Sequence, residues 1–127
     1  MAKKILVIDD EQMVTGSLTK LLKKSGYEVD AANNGVDAMK KVKEADFDLI
    51  ISDIRMPGED GIEIVKKIRS FLKESKKNII PEILITGYAS EDKYQSAIEL
   101  QVRAYINKPF DIKELLETVK EILGTSS

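Results

Sequence analysis

The protein has 127 residues, of which 33% are charged, and a formal net charge of −2 at pH 7. Its length is typical of one domain, and we predict a single domain over residues 1–127 with its core in 3–123 and a flexible tail at 124–127. The charge predicts no direct nucleic acid or membrane partner, and the lack of cysteine and histidine excludes disulfides, thiolate chemistry and the usual zinc ligands.

The first predicted element is a buried strand. Ile5-Leu6-Val7-Ile8 is a short apolar run that ends at Asp9-Asp10, as expected for a strand covered on both faces of a sheet. It is too short for the apolar core of a signal peptide or for a membrane span. We therefore expect a cytoplasmic protein.

Helical periodicity and strand patterns then alternate up to residue 52. Apolar residues at helical spacing precede the stop signal Ser25-Gly26, and they predict a first helix. Residues 27–32 alternate in part and predict a strand near the edge of the sheet. After the break at 33–35, an apolar stripe that includes Val36 marks a second short helix, and residues 47–52 form a third strand.

The second half of the chain repeats this alternation. A strong stripe predicts a third helix over about 61–72, and Ile79 to Thr86 predicts a fourth strand. Residues 90–100 predict a weak helix with few apolar side chains, and residues 102–106 a fifth strand. Asp111 begins the last helix in a capping box with Glu114, and its apolar stripe starts at Ile112.

Five strands alternating with five helices predict an α/β fold, a doubly wound parallel sheet between two helical layers. The flavodoxin-like (βα)5 arrangement has the strand order 2-1-3-4-5, and ligands bind at the carboxyl ends of its strands. Strand-end residues far apart in sequence would then share one cleft. Those residues are Asp9, Asp10, Asp53, Thr86 and Lys108.

Three carboxylates in one cleft repel each other, by roughly 4 kcal/mol per pair near 4 Å at an effective dielectric of about 20. A cation or raised pKa values must offset this repulsion. Oxygen ligands without histidine or cysteine suit a hard ion, and few carboxylates with room for water and phosphate suit Mg²⁺. A carboxylate nucleophile with Mg²⁺, an ammonium and a hydroxyl group is suited to phosphoryl transfer onto aspartate.

The chain resembles a known family over residues 3–123, the receiver domains of two-component response regulators. The resemblance rests on Asp9-Asp10 after the first strand, Asp53 with Met56-Pro57-Gly58, Thr86-Gly87, Tyr105 and Lys108-Pro109-Phe110. It implies that Asp53 accepts a phosphoryl group from the phosphohistidine of a histidine kinase or a histidine phosphotransfer domain. Such a domain catalyses its own phosphorylation and dephosphorylation but acts mainly as a signalling switch.

The resemblance also implies a role for each site residue. Asp10, Asp53 and the backbone carbonyl of Arg55 would bind Mg²⁺, with Asp9 contributing through water. Thr86 and Lys108 would hold the phosphoryl oxygens.

Phosphorylation would bias a two-state surface of this molecule. The phosphoryl group adds nearly two negative charges. The Thr86 hydroxyl can move toward these charges by forming a hydrogen bond, and Tyr105 would turn inward as Thr86 moves. The surface formed by the predicted fourth helix, fifth strand and fifth helix would then control a downstream protein or fused effector domain. A phosphorylation-dependent homodimer is a further predicted partner.

Three other functions compete with this one. A haloacid dehalogenase-like phosphohydrolase would need an Asp-x-Asp-x-Thr pattern after the first strand, where Asp9 to Met13 lacks it. A flavodoxin-like FMN binder would need a phosphate loop rich in serine, threonine and glycine at the same place. A pseudo-receiver that is not phosphorylated is the remaining alternative. The sequence also leaves open whether the domain stands alone or belongs to a longer regulator.

Overall fold

The computed structural model describes residues 2–56, 58–86, 95, 98–108 and 110–124, without the side chains of Val14 and Thr86. Five parallel strands form one sheet in the order β2-β1-β3-β4-β5, which confirms the predicted fold class and strand order. The strands are β1 (Lys4–Ile8), β2 (Glu28–Ala32), β3 (Leu49–Asp53), β4 (Glu82–Thr86) and β5 (Ala104–Asn107).

Four helices are described in full: α1 (Gln12–Lys24), α2 (Gly35–Glu44), α3 (Gly61–Glu74) and a C-terminal helix (Ile112–Leu123). Asn34, Asp60 and Asp111 cap α2, α3 and the C-terminal helix, because each side chain accepts a backbone N–H of the first helical turn. Gln95 and residues 98–100 are helical, and the rest of the predicted 90–100 helix lies outside the described residues. None of the described helices has the length and apolar character needed to cross a membrane.

The sheet separates two apolar layers, and the alternation of side chains along β1 shows how. Ile5 and Val7 pack with buried residues of α1 and the C-terminal helix. Leu6 and Ile8 point to the opposite face and pack with buried residues of α2 and α3. Because successive strand residues face opposite sides, an apolar run without alternation can fill both layers at once, as the sequence predicts.

Several predicted element ends are wrong. The fourth strand begins at Glu82, three residues later than predicted, and Ile79 is 82% exposed. Pro81 lacks the N–H that a central strand must donate. Val36 and Ile112 are 83% and 53% exposed although they belong to the predicted apolar stripes. Both lie in the first turn of a helix, beyond the part that the sheet covers.

Candidate functional site

The parallel register brings the ends of β1, β3 and β5 to one edge of the sheet. Ile8 pairs with Ser52 across β1 and β3, so Asp9 and Asp53 leave neighbouring strands at the same level. Thr86 pairs with Asn107 across β4 and β5, and Lys108 follows directly. The structure therefore places four of the predicted site residues at the carboxyl edge of the sheet, where Thr86 is described by its backbone.

Lys108 joins the two acids. Its Nζ lies 2.9 Å from Asp53 Oδ2, to which it donates a hydrogen bond, and 3.9 Å from Asp9 Oδ2. Asp9 and Asp53 are only 3% and 7% exposed. Two nearly buried carboxylates thus share one ammonium group.

Backbone amides hold the other oxygen of each acid. Asp9 Oδ1 accepts the N–H of Glu11 at 2.9 Å, and Asp53 Oδ1 accepts the N–H of Arg55 at 3.2 Å. In both cases the donor lies two residues after the acid, so the chain turns immediately beyond the strand and orients the carboxylate. Asp9 therefore supports the turn before α1, whose N-cap is Glu11 without a side-chain cap.

The charges at this edge are unbalanced. The pKa of Asp9 is raised from 3.8 to about 6 in total. Burial is the largest cause, and the charges of Asp53 and Asp10 act in the same direction, against the opposing effects of the Glu11 amide and Lys108. Burial lowers the pKa of Lys108, but its hydrogen bond and attraction to Asp53 outweigh this effect and the net shift is upward. The ammonium is therefore held in its charged form while one carboxylate lacks a full counter-charge.

Gly61 allows the loop after β3 to close against Asp53. The Gly61 N–H donates to the carbonyl of Ile54 at 2.8 Å. A Cβ atom at Gly61 would lie 2.2 Å from the main-chain carbonyl oxygen of Asp53, a distance that no real contact tolerates. Glycine at this position therefore fixes how closely the start of α3 approaches the acid.

The predicted roles of all the site residues stay predictions, and three of these residues lie apart from the contacts between Asp9, Asp53 and Lys108. Asp10 is exposed, although its charge still acts on Asp9. Arg55 follows the turn after Asp53, and its amide contacts the Asp53 carboxylate. The backbone of Thr86 ends β4 as predicted, but its side chain lies outside the described residues.

The acidic residues fit Mg²⁺ in chemistry and number. In the described part of the chain, no three acidic side chains form a metal-binding group by themselves. Mg²⁺ commonly uses one or two carboxylates and completes its coordination with water and phosphate oxygens. Asp9 and Asp53 are two carboxylates that share one ammonium group, so an excess negative charge remains between them. Their oxygen atoms and this excess charge fit such an ion.

Tyr105 lies in β5 and packs against a small apolar cluster under the site. The buried members of that cluster are Ile54, Ile62, Val65 and Leu84, and Leu100 and Val102 pack against it as well. Ile54 directly follows Asp53, so the cluster against which Tyr105 packs includes the residue next to the acid. Its predicted switching role stays a prediction.

One buried acid was missed in the sequence analysis. Glu82, the first residue of β4, is 3% exposed and pairs with Arg69 of α3. The signal was an acid directly before the apolar run 83–85, where a strand interior leaves little access to water.

Comparisons with known proteins agree with this fold. The sequence profile of the response regulator receiver domain matches residues 5–120. The chemotaxis protein CheY4 of Vibrio cholerae is 32% identical, with a TM-score of 0.85 over 96% of this chain and 99% of that chain. A CheY-like receiver domain protein from Methanospirillum hungatei is 30% identical, with a TM-score of 0.86 over 95% and 93% of the two chains.

A third similar structure contains a ligand. The response regulator protein TrrA of Thermotoga maritima, in complex with Mg²⁺ and BeF, is 38% identical to this chain. Its TM-score is 0.79, and the match covers 94% of this chain and 98% of that chain.

Proposed function

The chain belongs to the receiver domains of two-component response regulators, and we propose that its Asp53 accepts a phosphoryl group in a Mg²⁺-dependent reaction. The observation that carries the proposal is the pair of nearly buried carboxylates, Asp9 and Asp53, held 3.9 Å and 2.9 Å from one ammonium group. A purely structural ion pair would match one acid with one base. Here a negative charge remains at the sheet edge where this fold binds ligands.

Asp53 acts as the nucleophile in the proposed reaction. A carboxylate oxygen attacks the phosphorus atom of a phosphohistidine, the O–P bond forms, and the N–P bond to the imidazole breaks with its electron pair staying on nitrogen. The transition state spreads charge over the phosphoryl oxygens, so catalysis consists mainly of positioning and charge neutralisation. The absence of a histidine general base in this chain is therefore no obstacle.

Lys108 neutralises charge before and after the transfer. Its ammonium already donates to Asp53 Oδ2, and its raised pKa keeps it protonated at neutral pH. Once Asp53 carries the phosphoryl group, the same ammonium is within reach of the new oxygens. Asp10, Asp53 and the Arg55 carbonyl would hold Mg²⁺, with Asp9 contributing through water, and the ion would supply further neutralisation of those oxygens.

The signal then passes from Asp53 toward β5. The added phosphoryl charge attracts the Thr86 hydroxyl, and Tyr105 turns toward the space beside β4. The surface that contains the segment before β5, β5 itself and the C-terminal helix is the output surface in this proposal. It binds a downstream protein or fused effector domain, or a second copy of the chain.

A labelling experiment tests the proposal. The protein is incubated with acetyl phosphate and Mg²⁺, and the mass gain of one phosphoryl group is measured by intact-protein mass spectrometry. We expect labelling of the wild-type protein and none of Asp53→Asn, which keeps the shape of the side chain but removes the nucleophile.

Two controls complete the design. EDTA is expected to abolish labelling, and Asp37→Asn, which changes an acid of α2 outside the site, is expected to label as the wild type does. Labelling of Asp53→Asn to the wild-type level would contradict the proposed acceptor. A folded wild-type protein that takes no label from acetyl phosphate or from a phosphorylated histidine kinase would favour the pseudo-receiver alternative.

A further inference from the structure

The amino edge of the sheet holds a third buried acid, at the end of the strands opposite to Asp9 and Asp53. Glu82 is 3% exposed at the start of β4, a strand flanked by β3 and β5. A buried carboxylate without a partner destabilises the native state strongly. The residue therefore depends on the group that pairs with it.

Arg69 of α3 pairs with both oxygens of Glu82. Its Nε and Nη2 donate to Oε2 and Oε1, each at 2.8 Å, in a two-pronged arrangement. Only a guanidinium provides this planar fork, because an ammonium acts as a point charge. One nitrogen of Arg69 is left for another acceptor.

That nitrogen connects the ion pair to the chain before β5. Arg69 Nη1 donates to the carbonyl of Leu100 at 2.5 Å, 31 residues along the chain. The carbonyl of Glu82 in turn accepts the N–H of Arg103 at 3.0 Å. Glu82 thus holds both ends of the segment 100–103, one end through Arg69 and the other directly.

The backbone between these two ties has an unusual conformation. Gln101 has a φ of 57°, in the left-handed region that residues other than glycine rarely adopt. Its N–H donates to the carbonyl of Ile98 at 2.9 Å, which closes the helical turn before it. Two hydrogen bonds from outside the segment therefore hold a turn of restricted geometry.

The same segment packs against residues that adjoin Asp53. Leu100, Val102 and Tyr105 contact the cluster that contains Ile54 and Leu84. A change at Asp53 can reach the chain before β5 through the contacts of this cluster. It is transmitted as a defined movement only if the far end of the segment is fixed.

We propose that Arg69 is a positioning residue for the phosphorylation switch, because it fixes the segment 100–103 to Glu82 and so couples that segment to the state of Asp53. The inference rests on the proposed function. Arg69 lies beside the opposite edge of the sheet from Asp53. Its proposed role is in transmitting the signal, and it takes no part in the transfer of the phosphoryl group. When the tie to Leu100 is lost, the segment samples several arrangements and responds less to the site.

Arg69→Lys is the sharpest variant. A lysine keeps a positive charge beside Glu82, but a single ammonium cannot reproduce the fork and the bond to Leu100 together. The double variant Arg69→Met with Glu82→Met replaces the ion pair by two apolar side chains, a change that buried sites often tolerate. Lys66→Gln is the matched control, since its pair with Glu63 on the same helix spans 3.8 Å with both side chains more than half exposed.

The measurement uses backbone amide resonances with and without Mg²⁺ and beryllofluoride. In the wild type we expect shifts near the acid, at Ile54 and Arg55, and also at Val102 in the segment before β5 and at Tyr105 in β5. In Arg69→Lys and in the double variant, the shifts near the acid persist and those at Val102 and Tyr105 fall to less than about half. Exchange of the Arg103 amide accelerates about tenfold relative to amides of β1.

The outcomes separate this inference from the proposed function. Wild-type shifts at Val102 and Tyr105 in both variants, or an equal loss of shifts in Lys66→Gln, would overturn the role of Arg69 alone. A wild-type protein without any response at Ile54 and Arg55 would overturn the proposed function as well. A loss of shifts confined to the segment in both Arg69 variants would support the coupling, because a general loss of stability would also alter β1.

Discussion

The two edges of the sheet differ in how the charge of their buried carboxylates is balanced. At the amino edge, the guanidinium of Arg69 donates a hydrogen bond to each carboxylate oxygen of Glu82. At the carboxyl edge, Asp9 and Asp53 share the single ammonium of Lys108. The first arrangement is balanced in charge, and the second retains an excess negative charge.

This difference separates a structural role from a ligand-binding role. A balanced and fully hydrogen-bonded pair has no electrostatic reason to recruit another ion. Two carboxylates with one base are stabilised by a further cation, and the raised pKa of Asp9 reflects this deficit together with its burial. The position of the unbalanced buried charge therefore agrees with the proposed phosphorylation site.

The largest expected effect comes from unbalancing the amino edge. Arg69→Ala leaves Glu82 buried without a counter-charge, and we expect the free energy of unfolding to fall by about 4 kcal/mol. Urea denaturation followed by circular dichroism measures the change. The double variant with methionine at positions 69 and 82 should regain most of the loss. A decrease below about 1 kcal/mol in Arg69→Ala would show that the pair is solvated and contradict its burial.

A smaller loss is expected from a steric change at the carboxyl edge. Gly61→Ala places a methyl group against the main chain of Asp53, and we expect a cost of about 2 kcal/mol in unfolding free energy with slower phosphoryl acceptance. Denaturation and the labelling rate are measured together.

Gly16→Ala is the matched control for this substitution. A Cβ atom added at Gly16, inside α1, would have no neighbouring atom within 4 Å. The substitution should therefore stabilise the protein by about 0.5–1 kcal/mol. Equal effects of the two alanines on stability would rule out the close approach at Gly61.

The smallest effect concerns the charge of Asp9. Since its pKa is raised to about 6 in the folded protein from 3.8, the folded state binds more protons than the unfolded state between these values. Wild-type stability in EDTA should therefore fall as the pH rises from about 4 to 6 and stay level above. Asp9→Asn should remove this slope and gain about 1 kcal/mol at pH 7.

Denaturation at several pH values measures the dependence on Asp9. The gain stays below the full effect of the pKa shift because the asparagine side chain loses its attraction to Lys108. Identical pH profiles of wild type and Asp9→Asn would assign the slope to another group.

Much of the fold followed from local pattern. Apolar runs and helical stripes predicted each described strand and helix, and the strand order followed from the regular alternation of the two. The errors lie at element ends: Val36, Ile79 and Ile112 have apolar side chains that the sheet does not cover. Local periodicity carries no information about where a neighbouring layer stops.

The site divides in the same way. The sequence by itself determined that acids, a hydroxyl and a lysine directly follow or end the apolar strand runs, because these runs and the residue types after them are local properties. Only the tertiary structure decided that Lys108 contacts Asp53 more closely than Asp9 and that Asp10 is exposed. Only the tertiary structure showed that Arg69 contacts Glu82 and the carbonyl of Leu100. Contacts between residues distant in sequence depend on packing, which no local pattern specifies.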